Sequence, residues 1–251
     1  IAEMMKTKFG IDWLKVNFIG VEETIRSLRE IAMYFDDPII TAKTEEVIAD
    51  EYAAIAGDMG FYKEKLTGKT AGIFTGGSRT HHYQALLSDL GIKTVIGGYE
   101  FAHRDEYEGR EVIPSIKLDA DNKNIEEITV AKDEAKYRLV IDREKFEELK
   151  DKIELEEYKG MFRDMGAGTI TVDDFNHYET EKVIEMFKPD IFYSGIKDKY
   201  VILKAGIPSR QLHSYDYSGP YSCFQGALNF ARDSYMAIYA PAWGLISAPW
   251  K

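Results

Sequence analysis

The sequence predicts an α/β fold, a Rossmann-like parallel sheet flanked by helices. Two observations predict it: one strand, glycine-turn, helix, glycine, strand unit occurs twice, and strands alternate with short helices, which implies parallel pairing through right-handed crossovers. In the first unit Thr70 to Thr75 reads as a buried-type strand and Gly76-Gly77-Ser78-Arg79 as the turn. His81 to Leu90 is a helix stopped at Gly91, and Lys93 to Gly97 is the second strand. The second unit runs Ile191 to Ser194, Gly195, a helix from Lys197 to Ala205 stopped at Gly206, then a strand from Ser209 to His213. A strand at Thr169 to Val172 and a helix at Thr180 to Lys188 lie between the two.

Helices precede this pattern. Ile1 to Gly10 reads as the last turns of a helix with a left-handed cap at Gly10, and Lys15 to Gly20 as a short strand. Val21, Ile25, Leu28, Ala32 and Phe35 mark one helix face; Ile48, Tyr52, Ile55, Met59, Tyr62 and Leu66 mark another, after an N-cap at Asp37 and a helix-compatible Pro38. Gly57 and Gly60 weaken the middle of this long helix. The expected organisation is residues 1–66 as the end of a Rossmann-like domain plus a connecting helix, and 67–251 as a second such domain. Residues 110–159, with short β-like pieces and a Lys/Glu-rich helix at Lys145 to Lys150, read as a surface insertion.

With 251 residues, 45% of them apolar, the chain can fill a substantial core, and it has no apolar run long enough to span a membrane. A net charge of −11 disfavours nucleic-acid binding, which needs a basic face. The single cysteine, Cys223, excludes an intrachain disulfide framework and any multi-cysteine cage built from this chain alone, and suits a reducing cytoplasmic compartment. Ile1 to Gly10 does not have the make-up of a signal peptide, and the missing initiator Met suggests a piece of a longer chain.

Open parallel sheets bind ligands beyond the carboxyl ends of their strands. Here those ends lead into Gly76, Gly77 and Arg79; Gly98, Glu100 and His103; Asp173 and Asp174; Gly195 and Lys197; and His213. Glycines permit close backbone approach, while cations, carboxylates and histidines suit an anionic ligand that contains a metal. Arg79 and Lys197 stand at helix starts, where a cation is mildly unfavourable unless an anion is near. Each feature also has a plainer reading. Gly76-Gly77 matches neither the dinucleotide nor the P-loop spacing, and His213 is either a ligand or a satisfied core histidine. His81, His82 and His177 read as surface or helix-packing residues, and Cys223 as a small buried hydrophobe.

Three segments carry a family resemblance: Gly97-Gly98-Tyr99-Glu100-Phe101-Ala102-His103-Arg104-Asp105, Ser194-Gly195-Ile196-Lys197-Asp198-Lys199, and Gln211-Leu212-His213-Ser214-Tyr215-Asp216-Tyr217-Ser218-Gly219-Pro220-Tyr221. With Asn17-Phe18-Ile19-Gly20 and Ala248-Pro249-Trp250, they resemble the α subunit of nitrogenase molybdenum-iron proteins, a nitrogenase component 1 type domain, over essentially the whole chain taken as its carboxyl-terminal part. The resemblance implies an iron-molybdenum cofactor with homocitrate, with His213 as imidazole ligand to molybdenum and Lys197 and Glu100 near homocitrate. It places Gly76, Gly77 and Arg79 in a loop facing the cofactor sulfides. His213, Arg79 and Lys197 are then the residues closest to catalysis. Backbone N–H groups, Arg79 and Lys197 would stabilise an anionic cluster, and neutral imidazole suits a transition metal.

The resemblance further implies a β subunit, an α2β2 assembly, a reductase iron protein as electron donor, and reduction of N2 to ammonia. The 110–159 insertion matches one found in a subset of the family, and Asp216-Tyr217-Ser218 favours the molybdenum type. The family's cofactor cysteine and its P-cluster cysteines have no counterpart here, and Cys223 aligns with none of them. The chain by itself is therefore expected to be inactive. Two other readings stand beside this one: a non-catalytic scaffold for cofactor assembly, disfavoured by the joint presence of Arg79, Lys197 and His213, and a Rossmann-like module that binds a small anion or metallophore.

Overall fold

The computed structural model describes residues 2–75, 80–99, 110–117, 125–132, 170–173, 176–195, 198–212 and 220–245. In chain order the elements are helices α1 (Ala2–Phe9), α2 (Val21–Phe35) and α3 (Pro38–Leu66), strand β1 (Thr70–Phe74), helix α4 (Thr80–Asp89), and strands β2 (Lys93–Tyr99), β3 (Arg110–Lys117), β4 (Ile125–Lys132) and β5 (Ile170–Asp173). Helix α5 (His177–Phe187), strand β6 (Ile191–Ser194), helix α6 (Lys199–Lys204), strand β7 (Ser209–Gln211) and helix α7 (Cys223–Tyr239) follow, with a 3₁₀ turn at Pro241–Leu245. Contacts divide the chain into two compact units. One comprises Ile1–Gly68, Ala85–Ile92 and Ser214–Ala240; the other comprises Lys69–Gln84, Lys93–His213 and Pro241–Lys251.

In the first unit α3 packs against α2 and α7. The α2 to α3 corner follows from two acids. Asp36 closes α2 in the left-handed region (φ 48°), and the Asp37 carboxylate accepts the N–H of Ile39 at 2.7 Å and of Ile40 at 3.3 Å, a cap worth about 1 kcal/mol. Gly57 and Gly60 leave α3 unbroken over its 29 residues, because packing supplies what propensity withholds. Ile48, Ile55 and Leu66 of the expected stripe are buried, whereas Tyr52 is exposed. Tyr235 of α7 meets the rings of Phe61 and Tyr62, and the Tyr239 hydroxyl donates to the Lys65 carbonyl at 2.8 Å.

The strand expected at Lys15 to Gly20 does not form; one bridge, Ile19 to Ser222, is its only sheet pairing. Side chains intercept the backbone instead. The Ser27 hydroxyl accepts the Asn17 N–H at 2.8 Å and donates to the Asn17 carbonyl at 2.7 Å, and Asn17 Oδ1 accepts the Ile19 N–H at 3.0 Å.

The second unit carries a five-stranded sheet of order β5-β2-β1-β6-β7, parallel at every pairing. Buried Phe74, Ile96, Ile184, Phe192 and Ile202 form a cluster joining sheet to helices, with Val183, Phe187 and Ile207 packed against it. Gly72 in β1 lies in register with Phe192 in β6, and a Cβ added at Gly72 would come within 2.5 Å of the Phe192 ring. Glycine is what lets these two strands pair with an aromatic ring between their neighbours. Gly206 (φ 83°) terminates the α6 segment, and α6 itself is shorter than the expected Lys197 to Ala205. Within the expected insertion, β3 and β4 pair as an antiparallel ribbon. The helix expected at Lys145 to Lys150 lies outside the described residues.

Asp190 ties the amino-terminal ends of the two central strands. Its Oδ2 accepts the Thr70 N–H at 2.8 Å and the Thr70 hydroxyl at 3.0 Å, and its Oδ1 meets Lys69 Nζ at 3.2 Å. Burial pushes the Asp190 carboxyl up, but the Thr70 N–H, Lys69 and the Thr70 hydroxyl together hold it below the ordinary carboxylate range. A depressed folded-state pKa adds stability that is present above the unfolded value and disappears as pH falls through the folded one. We expect Asp190→Asn to cost about 1 kcal/mol at neutral pH. Denaturant unfolding at pH 7 and near pH 3 should show that gap narrowing in acid; a gap that widens in acid would contradict the assignment.

Candidate ligand rim

The order β5-β2-β1-β6-β7 has one reversal. From β1 the chain builds outward through β2 and β5 on one side, then returns to build β6 and β7 on the other. Where parallel strands reverse direction of growth, the loops leaving neighbouring strands part and open a crevice at their carboxyl ends. That point is the β1 and β6 pair.

Main-chain hydrogen bonds hold the rim in register to the strand tips. Gly195 N–H donates to Phe74 C=O at 3.1 Å, carrying the β1 and β6 pairing past the last residue of β6. Leu212 N–H donates to Ser194 C=O at 3.1 Å, extending β7 by one residue. At the outer edge Asp173 lies in register with Tyr99. Three buried hydroxyls line these ends: Thr75, Thr80 and Ser194. Thr80 Oγ1 donates to the buried Gly98 carbonyl at 2.8 Å, pinning the start of α4 to the end of β2. Ser194 Oγ and Ser209 Oγ are 3.0 Å apart, linking β6 to β7. Thr75, 1% exposed, has no partner for its hydroxyl among the described residues. A buried, unsatisfied hydroxyl costs roughly 1–3 kcal/mol, and Thr75 is the one of the three whose hydrogen bonding the described residues leave incomplete.

The expected site residues Gly76, Gly77, Arg79, Glu100, Lys197 and His213 lie outside the described residues, as do His103 and Asp174. What the fold provides is the frame they follow in sequence. Gly76 comes directly after Thr75, Glu100 after Tyr99, Lys197 two positions after Gly195, and His213 after Leu212. Four of the five parallel strands, the adjacent set β2-β1-β6-β7, therefore lead into the residues named from the sequence.

Of the other residues singled out, His177 is exposed and its Nε2 lies 3.3 Å from Asp198 Oδ1, at the residue that opens α6. Among the described residues no group of His, Cys, Asp and Glu converges as a metal site. Cys223 departs from its expected role as a small buried hydrophobe: it is exposed, with φ 61°. The buried stripe of α7 runs through Phe224, Ala227, Phe230, Ala231 and Ser234, and Cys223, the first residue of the helix, falls off it. Partial burial and then the charge of Glu51 raise its thiol above the ordinary range, away from the thiolate a metal would need. Thr75 and Thr80 were not distinguishable in sequence, since a threonine beside a strand reads as β propensity.

The parallel sheet and its single reversal define a Rossmann-like α/β class. The chain belongs to the nitrogenase component 1 type oxidoreductase family, whose model matches residues 1–239. It is 56% identical over 252 residues to the nitrogenase molybdenum-iron protein alpha chain of Clostridium pasteurianum, covering 100% of this chain and 47% of that one. It is 54% identical over 248 residues to the corresponding chain of Methanosarcina barkeri, covering 99% and 46%. Among solved structures, "Nitrogenase Cp1 at pH 6.5" superposes with a TM-score of 0.77 at 56% identity, covering 100% of this chain and 48% of that one. The chain spans about half the length of the curated relatives it matches. This overlap does not support the expected placement in the carboxyl-terminal part of the subunit. No helix among the described residues is long and apolar enough to cross a membrane.

Thr80→Val removes the donor and leaves the Gly98 carbonyl buried without its partner, which should cost about 1–3 kcal/mol, while Thr80→Ser should retain most of the stability. Unfolding midpoints of the two variants test this; equal midpoints would show that the hydrogen bond contributes little.

Proposed function

We propose that this chain forms part of a nitrogenase molybdenum-iron protein α subunit and contributes the rim that holds an iron-molybdenum cofactor with homocitrate. The observation that carries this reading is 56% identity across the full chain to a molybdenum-iron protein alpha chain. The rim chemistry supports it. In a chain of net charge −11, an anionic group needs locally concentrated donors and cations, and the residues after β1 and β6 supply Gly76, Gly77, Arg79 and Lys197. The orphaned Thr75 hydroxyl at the same strand end fits an acceptor-rich ligand.

When bound, such a cluster supplies the multi-electron redox chemistry for reducing N2. The protein's share is positioning. His213 is proposed as the imidazole ligand to molybdenum; it follows Leu212, whose N–H is held by Ser194 at the end of β7. Arg79 and the Gly76-Gly77 backbone would hold the cluster, and Lys197 and Glu100 would hold homocitrate, with Lys197 offsetting its negative charge and donating hydrogen bonds. In this reading 1–66 closes a preceding domain, 67–251 is the cofactor-contacting domain, and 110–159 is an insertion on it. The β subunit and the reductase iron protein are the proposed partners, and the 251-residue chain alone is expected to be inactive, because its single cysteine, Cys223, matches none of the cluster ligands.

Metal analysis of the full-length protein, purified with its partner subunit, tests the proposal. Molybdenum with homocitrate is expected, falling in His213→Gln. Iron without molybdenum would support an assembly scaffold, and absence of both would support a small-anion module. Acetylene reduction by the isolated 251-residue chain, given reductase and ATP, would contradict the assigned division of labour.

A further inference from the structure

We infer that Thr75 is a ligand-contacting residue of the rim, its hydroxyl donating a hydrogen bond to an anionic acceptor, a sulfide or a carboxylate oxygen, of the group bound at the β1 and β6 reversal. The inference deepens the functional reading above and rests on it. The three hydroxyls at this end of the sheet share burial and differ in satisfaction. Thr80 Oγ1 has the Gly98 carbonyl at 2.8 Å and Ser194 Oγ has Ser209 Oγ at 3.0 Å, whereas Thr75 Oγ1 has no partner among the described residues. Thr75 is also the residue at the reversal itself. Its predecessor, Phe74, accepts the Gly195 N–H that closes the β1 and β6 pairing, and its successor in sequence is Gly76.

A purely structural role does not explain the hydroxyl. Valine has the same shape, favours strands equally and leaves no buried donor to satisfy. A buried hydroxyl of this kind calls for a hydrogen-bond partner, and the strand end offers two sources: a bound anion or a trapped water. We assign the first because the ligand end of the sheet is where this residue sits, and because an anionic acceptor makes the stronger bond.

The test uses the full-length protein assembled with its partner, comparing wild type, Thr75→Val and Thr75→Ser. Three quantities are read: molybdenum per protein, the low-temperature electron paramagnetic resonance line shape of the resting state, and the unfolding midpoint of protein prepared without cofactor. With a ligand contact, Thr75→Val changes the resonance line shape and retains less molybdenum after dilution, Thr75→Ser restores both, and the cofactor-free Val variant unfolds no earlier than wild type. Unchanged line shape and molybdenum content in Thr75→Val would overturn the inference and leave a trapped water as the partner. If Thr75→Val does not accumulate, Thr75→Ala against Thr75→Ser gives the same comparison. A wild-type protein without molybdenum would fail the functional reading itself, whereas molybdenum-replete wild type and Val variant with identical spectra would fail only this inference.

Discussion

The parallel pairing of β1 with β6 is the constraint on which the rest of the second unit depends. It places Gly72 against Phe192 in register, so the largest side chain of the pair fits only because its neighbour has none. It is held at both ends by different chemistry. At the amino-terminal end Asp190 binds Thr70 and Lys69 through charge-assisted hydrogen bonds; at the carboxyl end the last main-chain bond runs from Gly195 to Phe74. Between them, Phe74 and Phe192 join the buried cluster beneath α5 and α6. Because both strands point the same way, their carboxyl ends lie at the same edge, and the order of strands reverses at this pair, the place where open parallel sheets bind ligands.

This arrangement separates stability from function along one strand pair. The Asp190 end is a structural fastening whose groups are mutually satisfied. The Thr75 end is buried yet leaves a hydroxyl unmatched, and a local shortfall of that kind is common where a protein holds a ligand. The acidic balance of the whole chain sharpens the contrast, since Arg79 and Lys197 follow the two central strands while the net charge is −11. An anion bound there would be held by local donors against the average field of the molecule.

Much of the fold was legible in the sequence because glycines punctuate it. Gly91 and Gly206 stop helices at positive φ, as their positions after apolar-periodic runs implied, and Asp37-Pro38 starts α3 with the expected cap. The strands β1, β2 and β6 were readable as short runs with apolar cores between those stops, and β7 as the piece that follows Gly206 in the repeated unit. What failed did so where side chains override local preference. Lys15 to Gly20 has strand-like residues, but Ser27 and Asn17 occupy its backbone groups. Cys223 looks like a core residue by type, yet it precedes the buried stripe of α7. The α2 face is also partly polar: Thr24 and Ser27 are buried because each bonds a backbone carbonyl, a pattern invisible to a count of apolar spacings. The rim was legible only as a set of strand ends, and Thr75 could not be singled out, because satisfaction of a hydroxyl is a property of three-dimensional neighbours.

The central claim is that the carboxyl ends of β1 and β6 frame a molybdenum site completed by His213. Anomalous diffraction at the molybdenum absorption edge, from crystals of the full-length protein with its partner subunit, measures this directly. The account predicts one strong molybdenum peak per copy of this chain at that rim, bonded to the His213 imidazole. A molybdenum peak elsewhere, or one at the rim without His213 as ligand, would contradict it.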